Sequence, residues 1–195
     1  MRRAPTLRVS CHNVNGLAAK IENLLALYGA LHLDVVVAAD THVSFMQRPH
    51  VEALLRAAGW RSYWCVGYQH TGRVQAGVAV LIRDSLLRSG RLQVRHGGAT
   101  PGPCGAATDG RLLRVPLRWG GQDLDLVGVY FHADAYDNNV QIIEGTLQQW
   151  QASAPGGRLI VMGDFNFVHC RALDRGNIPQ QQRQEQQQRQ QQQQQ

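Results

Sequence analysis

The sequence predicts a mixed α/β fold with sheets in the middle and helices outside, and three observations predict it. Two unbroken apolar runs, Val35–Ala39 and Leu159–Met162, read as strands buried on both faces. Two alternating segments, Leu112–Trp119 and Gln122–Tyr130, are joined by Gly120 and Gly121, the signal of a hairpin. Three further stretches carry apolar residues at helical spacing.

In chain order, Leu7, Val9 and Cys11 alternate with Arg8, Ser10 and His12, which predicts a half-buried strand ending at Asn13–Gly16. Ile21, Leu24, Leu25, Tyr28 and Leu31 form one helical stripe, and Val35–Ala39 follows as the buried strand, ending in Asp40, Thr41 and His42. Strand, helix and strand in that order make a crossover unit, right-handed by strong preference. Pro49 suits a first helical turn, Val51, Leu54, Leu55 and Ala58 continue that helix, and Gly59 closes it. Arg61–Tyr68 and Gly77–Ile82 read as strands separated by a polar loop at His70–Ala76, and Arg91–Arg95 as a short strand. Gly97–Gly110, with five Gly and two Pro, reads as a surface loop. In Gln122–Tyr130, Leu124, Leu126 and Gly128 share a face with Tyr130, so that tyrosine points inward. A last helix carries Val140, Ile143, Leu147 and Trp150, with Asp137 or Asn138 as its N-cap. The run Leu159–Met162 then leads into Gly163, Asp164, Phe165 and Asn166.

Composition bounds the function. From Gln180 to Gln195, 13 of 16 residues are Gln, a composition that buries no core and reads as a disordered tail. Residues 1–6 are a basic extension, 7–177 the folded domain and 178–195 the Gln-rich tail. The net charge of +6 favours polyanions such as nucleic acid, although the arginines are scattered. Cys11, Cys65, Cys104 and Cys170 stand far apart with no zinc-type spacing, which predicts reduced thiols. No signal peptide or membrane span is read, so the expectation is a soluble intracellular protein, nuclear or cytoplasmic, with no membrane partner.

Four strands end in polar residues: Asn13 with Asn15, Asp40, Tyr130, and Asp164 with Asn166. In α/β sheets ligands sit in the crevice beyond the strand ends, so these six side chains are the candidate site. Two carboxylates with amides are hard oxygen donors suited to Mg²⁺, and a nucleic-acid phosphodiester is a fitting substrate for such an ion on a basic protein.

NVNGL at Asn13–Leu17, ADTH at Ala39–His42, GVAVLI at Gly77–Ile82, GVY at Gly128–Tyr130 and GDFN at Gly163–Asn166 appear in an order that resembles the endonuclease/exonuclease/phosphatase family. Within it, the set looks most like the apurinic-type endonuclease domain of non-LTR retrotransposons, over about Leu7 to Asp174. The resemblance implies a four-layer α/β sandwich and cleavage of a DNA phosphodiester by water with Mg²⁺ or Mn²⁺. By position, Asn13 would hold the site together, Asn15 would stand on the metal side and Asp40 would be the metal ligand. Tyr130 would contact the phosphate, Asp164 would orient or deprotonate the attacking water, and Asn166 would stabilise the developing charge.

The departures from the family are equally specific. Asp40 replaces the usual Glu, which retracts the carboxylate by about 1.5 Å, one C–C bond. After Tyr130 the family often shows Pro and then Asn, where this chain has His132 and Ala133, so one phosphate-contacting amide is missing; Asp134, one residue further on, either substitutes for it or caps the helix. Ala172–Arg175 still resembles family sequence, but the family's later Ser-Asp-His segment has no counterpart before the Gln tract, and His169 reads as a surface residue. The expectation is a C-terminally truncated domain that lacks its last strands and whose cleavage is weakened or absent. The alternative reading is a non-catalytic remnant that at most binds nucleic acid, and a third is a small-molecule phosphatase of the same superfamily.

Overall fold

The strands sort into two mixed sheets, each with a parallel pair at one edge. The computed structural model describes residues 6–103, 109–133, 135–154, 156 and 158–166. In the first sheet β1 (Val9–Asn13) runs parallel to β2 (Val35–Ala39), and β6 (Val78–Arg83) and β3 (Trp60–Cys65) complete the order. In the second, β11 (Leu159–Asp164) runs parallel to β10 (Gln122–Tyr130), followed by β9 (Leu112–Trp119) and β7 (Leu92–Val94), with β8 (Thr100–Pro101) also on β9. The remaining strands, β4 (Tyr68–His70) and β5 (Arg73–Gln75), form a separate hairpin. Helices α1 (Ile21–Ala30), α2 (Arg48–Ala57) and α3 (Asp84–Arg88) belong to the first half. In the second half α4 (Tyr136–Gln141) passes through a π-helical stretch, Ile142–Leu147, into α5 (Gln148–Ser153).

Period-two alternation divides each central strand between two apolar layers. Val36, Ala38, Ala79 and Leu81 face Ile21, Leu24, Tyr28, Val51 and Leu55 of the helices. Their neighbours Val35, Val37, Val78, Val80 and Ile82 face Leu113, Val115, Leu117 and Leu126 of the other sheet. Leu112, Val127 and Val129, on the far side of that sheet, lie under Ile142, Ile143, Leu147 and Trp150. Three apolar clusters thus separate four layers, helix, sheet, sheet and helix, as expected. Each fully buried Val or Leu contributes about 1.5–3 kcal/mol, so these layers, not the short helices, hold the domain together. The sheets approach most closely at Gly128, where a Cβ would stand 2.6 Å from Val78 Cγ1 and 2.9 Å from Val37 Cγ1.

Several local details differ from the sequence reading. Val9 and Cys11 are exposed, because β1 is an edge strand whose inter-sheet face is left partly open, while His12 on the other face reaches Tyr28 Oη at 3.3 Å. Leu31 falls outside α1 and is exposed, since His32 takes a left-handed φ of 51° and turns Leu33 back onto the helix, where its N–H meets the Tyr28 carbonyl at 3.0 Å. The loop expected at His70–Ala76 contains a hairpin turn at Thr71 and Gly72, both with positive φ. In the last helix the π turn shifts the phase of the stripe, so that Asn139 and Ile142 are buried ahead of Ile143, Leu147 and Trp150. That helix starts at Tyr136 without a side-chain cap.

The chain forms one compact unit through Phe165 and a second from Asn166 onward, of which only Asn166 is among the described residues. Cys104, Asp134, His169, Cys170, residues 172–175, the Gln-rich tail and residues 1–5 lie outside the described residues. Among the described residues no helix is long and apolar enough to cross a membrane.

Candidate active site at the strand ends

Parallel pairing delivers the C-terminal ends of β1 and β2 to one place, and the backbone ladder continues past them. The N–H groups of Val14, Gly16 and Leu17 donate to the carbonyls of Ala39, Asp40 and Thr41 at 2.9, 2.9 and 2.8 Å, which lays the Asn13–Leu17 loop along Asp40. Within that loop the Asn15 N–H donates to Asn13 Oδ1 at 3.0 Å, a side-chain-closed turn made possible by a φ of 41° at Asn15. Lys20, the sole lysine, steadies the loop by donating from Nζ to the carbonyls of Val14 and Asn15 at 2.9 and 2.7 Å.

The turn leaves the Asn13 amide facing the second sheet. Asn13 Nδ2 donates to Asp164 Oδ2 at 2.6 Å, joining the edge strand of one sheet to the edge strand of the other. Asp164 shares the inward face of β11 with Met162, and Phe165 turns away to meet Phe131 with ring centroids 5.4 Å apart. Tyr130 stands directly beside Asp164 in the parallel register.

Asp40 and His42 both hold left-handed backbone, with φ of 58° and 52°. For residues with a Cβ such conformations cost of order 1–3 kcal/mol each and persist only where the surroundings impose them. Here the N–H groups of Thr41 and His42 are fixed by the carbonyls of Gly77 and Ala76 at 3.0 and 2.8 Å. The result places His42 Nε2 2.8 Å from Asp40 Oδ1, with Tyr130 near enough for the Asp40 charge to act on its phenol. A cavity of about 450 Å³ opens here, lined among others by Asp40, His42, Arg73, Gln75, Arg111 and Tyr130.

Arg111 fixes the end of β10. It is 8 % exposed, its Nη1 donates to the carbonyls of Tyr130 and Phe131 at 3.2 and 3.4 Å, and its guanidinium lies 5.0 Å from the Tyr130 ring centroid. The buried Asn139 then clamps His132 by two bonds of 2.8 Å. Burial pushes the Tyr130 phenol up to about 12, with the Asp40 charge and hydrogen bond and the Asp164 charge adding to it and Arg111 opposing. Tyr130 is therefore a hydrogen-bond donor throughout the neutral range.

That shift has a consequence for stability. The phenol titrates at 10.0 in its ordinary state and at about 12 in the fold, so its contribution is complete below pH 10 and is lost as pH rises toward 12. Urea midpoints measured at pH 9, 10 and 11 should fall across that interval, and Tyr130→Phe should flatten part of the fall. Tyr28, raised to about 12 by burial, contributes to the part that remains, as do Tyr63 and Cys65, which burial also raises.

Of the six side chains read from the sequence, Asn13 and Asp164 are bonded to each other, Asp40 and Tyr130 line one cavity, and the exposed Asn15 stands in the loop beside Asp40. Asn166 begins the second unit, with a φ of 47°. His42 and Arg111 were not singled out. His42 had a signal, since it lies two residues after Asp40, but Arg111 is one arginine among many until β9 and β10 are paired. Among the described residues no three His, Cys, Asp or Glu side chains come together as a metal cluster. The donors present nevertheless fit a hard divalent cation, which takes one or two carboxylates and keeps several waters: Asp40 and Asp164 are the carboxylates, and the asparagine amides and Tyr130 are neutral partners.

The chain belongs to the endonuclease/exonuclease/phosphatase family, which it matches over residues 11–184. Among solved structures it resembles a humanized TDP2 of D. rerio, with a TM-score of 0.62 and 16% identity over 89% of this chain and 72% of that one. It also resembles the 3' phosphatase NExo from Neisseria bound to a product DNA hairpin, with a TM-score of 0.61 and 17% identity over 86% of this chain and 60% of that one. A third is the endonuclease domain of TRAS1, a telomere-specific non-LTR retrotransposon, with a TM-score of 0.54 and 18% identity over 85% of this chain and 63% of that one. The chain thus spans less than two thirds of the length of the latter two. No curated protein matches it in sequence.

Proposed function

We propose that the chain is a divalent-metal-dependent phosphodiester hydrolase acting on DNA, of the non-LTR retrotransposon endonuclease type. The observation that carries this reading is the 2.6 Å bond from Asn13 to Asp164 across the two sheets, beside the cavity that Asp40 and Tyr130 line. Asp40, with Asn15 alongside, would hold Mg²⁺ or Mn²⁺. When bound, that ion offsets the phosphate charge and makes its water more acidic. Asn13 keeps Asp164 Oδ2 in one orientation, so that Asp164 can accept a proton from water as its oxygen bonds to phosphorus. Tyr130 donates its hydroxyl to a phosphate oxygen, and Arg111 holds Tyr130 in place. The ester oxygen leaves and takes up a proton.

DNA is supported as the substrate by the net charge of +6 and by the nucleic-acid-processing relatives of the fold. Such a substrate puts the protein in the nucleus or cytoplasm. A second reading, DNA binding without turnover, is favoured by one observation: the short Asp40 carboxylate is already engaged by His42.

The test is nicking of supercoiled plasmid with Mg²⁺, with EDTA, and with Asp164→Ala, after circular dichroism shows each protein folded. The expected result is metal-dependent nicking that falls roughly 100- to 10,000-fold in the variant, the range for loss of a proton-transferring group. Folded protein that retains plasmid but leaves it unnicked would establish the second reading instead. Competition between plasmid and a soluble phosphate ester separates both from a small-molecule phosphatase.

A further inference from the structure

We infer that His42 is itself a ligand of the cation held at Asp40, so that the site takes a six-coordinate transition-metal dication in preference to Mg²⁺. The inference rests on the proposed reading of Asp40 as a metal position and adds a nitrogen donor to it.

Geometry is the first argument. His42 Nε2 and Asp40 Oδ1 stand 2.8 Å apart. Adjacent donors on an octahedral ion with bonds of about 2.0–2.1 Å are separated by roughly 2.9 Å, whereas tetrahedral neighbours at the same bond length are roughly 3.4 Å apart. The pair therefore has the spacing of one octahedral edge.

Rigidity is the second argument. Both residues hold left-handed backbone, with Thr41 between them fully buried, and the N–H groups of Thr41 and His42 are tied to Gly77 and Ala76. The imidazole is 37 % exposed and borders the cavity, so the remaining positions of an ion there open to water and substrate.

Chemistry is the third. Imidazole suits later first-row ions, whereas Mg²⁺ favours oxygen alone. Asp40 by itself is a short arm, and the adjacent ring supplies the second donor that a single carboxylate lacks.

The experiment uses Mn²⁺ as the probe and the full chain. Pulsed EPR of the Mn²⁺-loaded protein should show coupling to an imidazole nitrogen. His42→Gln, which can still hydrogen-bond Asp40, should lose that coupling and bind Mn²⁺ about tenfold or more weakly, while Mg²⁺ competition for the residual site changes little. Mn²⁺ that binds in an Asp40-dependent manner without nitrogen coupling would overturn the role of His42 and leave the metal reading of Asp40 intact. Failure of the folded protein to retain Mn²⁺ at all would overturn both.

Discussion

Asp125→Ala is expected to destabilise the protein by about 3–5 kcal/mol, the cost of leaving buried charges without their partner. Asp125 is fully buried on β10. Arg95 Nη2 donates to its Oδ1, and Arg114 donates from Nε at 3.0 Å and from Nη2 to its Oδ2. Arg114 also reaches Ser153 Oγ at 3.0 Å and lies over the Trp150 ring, so the network ties β9, β10 and α5 together. Removing the carboxylate leaves two guanidinium groups close together with one counter-charge gone. Urea midpoints measure the loss. Asp125→Leu combined with Arg114→Met should recover a large part of it, because the penalty lies in the unpaired charge rather than in the shape. A loss below about 1 kcal/mol would mean that the arginines, 19–23% exposed, find water instead.

Gly163→Ala is expected to cost roughly 3 kcal/mol or more from two sources, overpacking and backbone strain. A Cβ at Gly163 would stand 1.9 Å from the Val129 carbonyl oxygen, and φ there is +147°. Val129 is the register partner of Gly163, so relief requires β11 to move off β10 rather than a side chain to rotate. Asp164 moves with it, and nicking should fall further than the folded fraction does. Gly145→Ala is the control, since nothing lies within 4 Å of its Cβ position, and its midpoint should hold or rise. Hydrogen exchange of the Val127–Tyr130 amides distinguishes local separation of β11 from global loss of structure.

The layers were legible because continuous apolar runs can bury only as central strands, and the stripe Ile21, Leu24, Tyr28 can bury only as a helix face. The convergence of Asn13, Asp40, Tyr130 and Asp164 was legible from their common place after strands, strengthened by family resemblance. What was not legible depends on single backbone angles. Thr71 at a φ of 47° makes a hairpin turn that a β-branched residue does not advertise, and His32 at 51° cuts Leu31 off its helix. The π turn at Ile142–Leu147 adds a residue that periodicity cannot register, and so Asn139 appears on the buried side where Val140 was expected. Arg111 and Asp125 acquire their roles only from strand pairing, which brings residues 19 and 11 positions away in the chain into contact.

The bond between Asn13 and Asp164 joins two sheets whose facing surfaces are mainly apolar side chains, and apolar contact has no preferred direction. One residue step along a strand is about 3.3 Å, so a slip of a fraction of a step parts a 2.6 Å bond while leaving the greasy middle layer nearly as well filled. The candidate site thus works as a vernier on the stacking of the sheets. Changes at Val37, Val78 or Gly128, well inside the sandwich, are read out in the chemistry before they are read out in unfolding. Drift of the middle layer is then limited by alignment more tightly than by hydrophobicity.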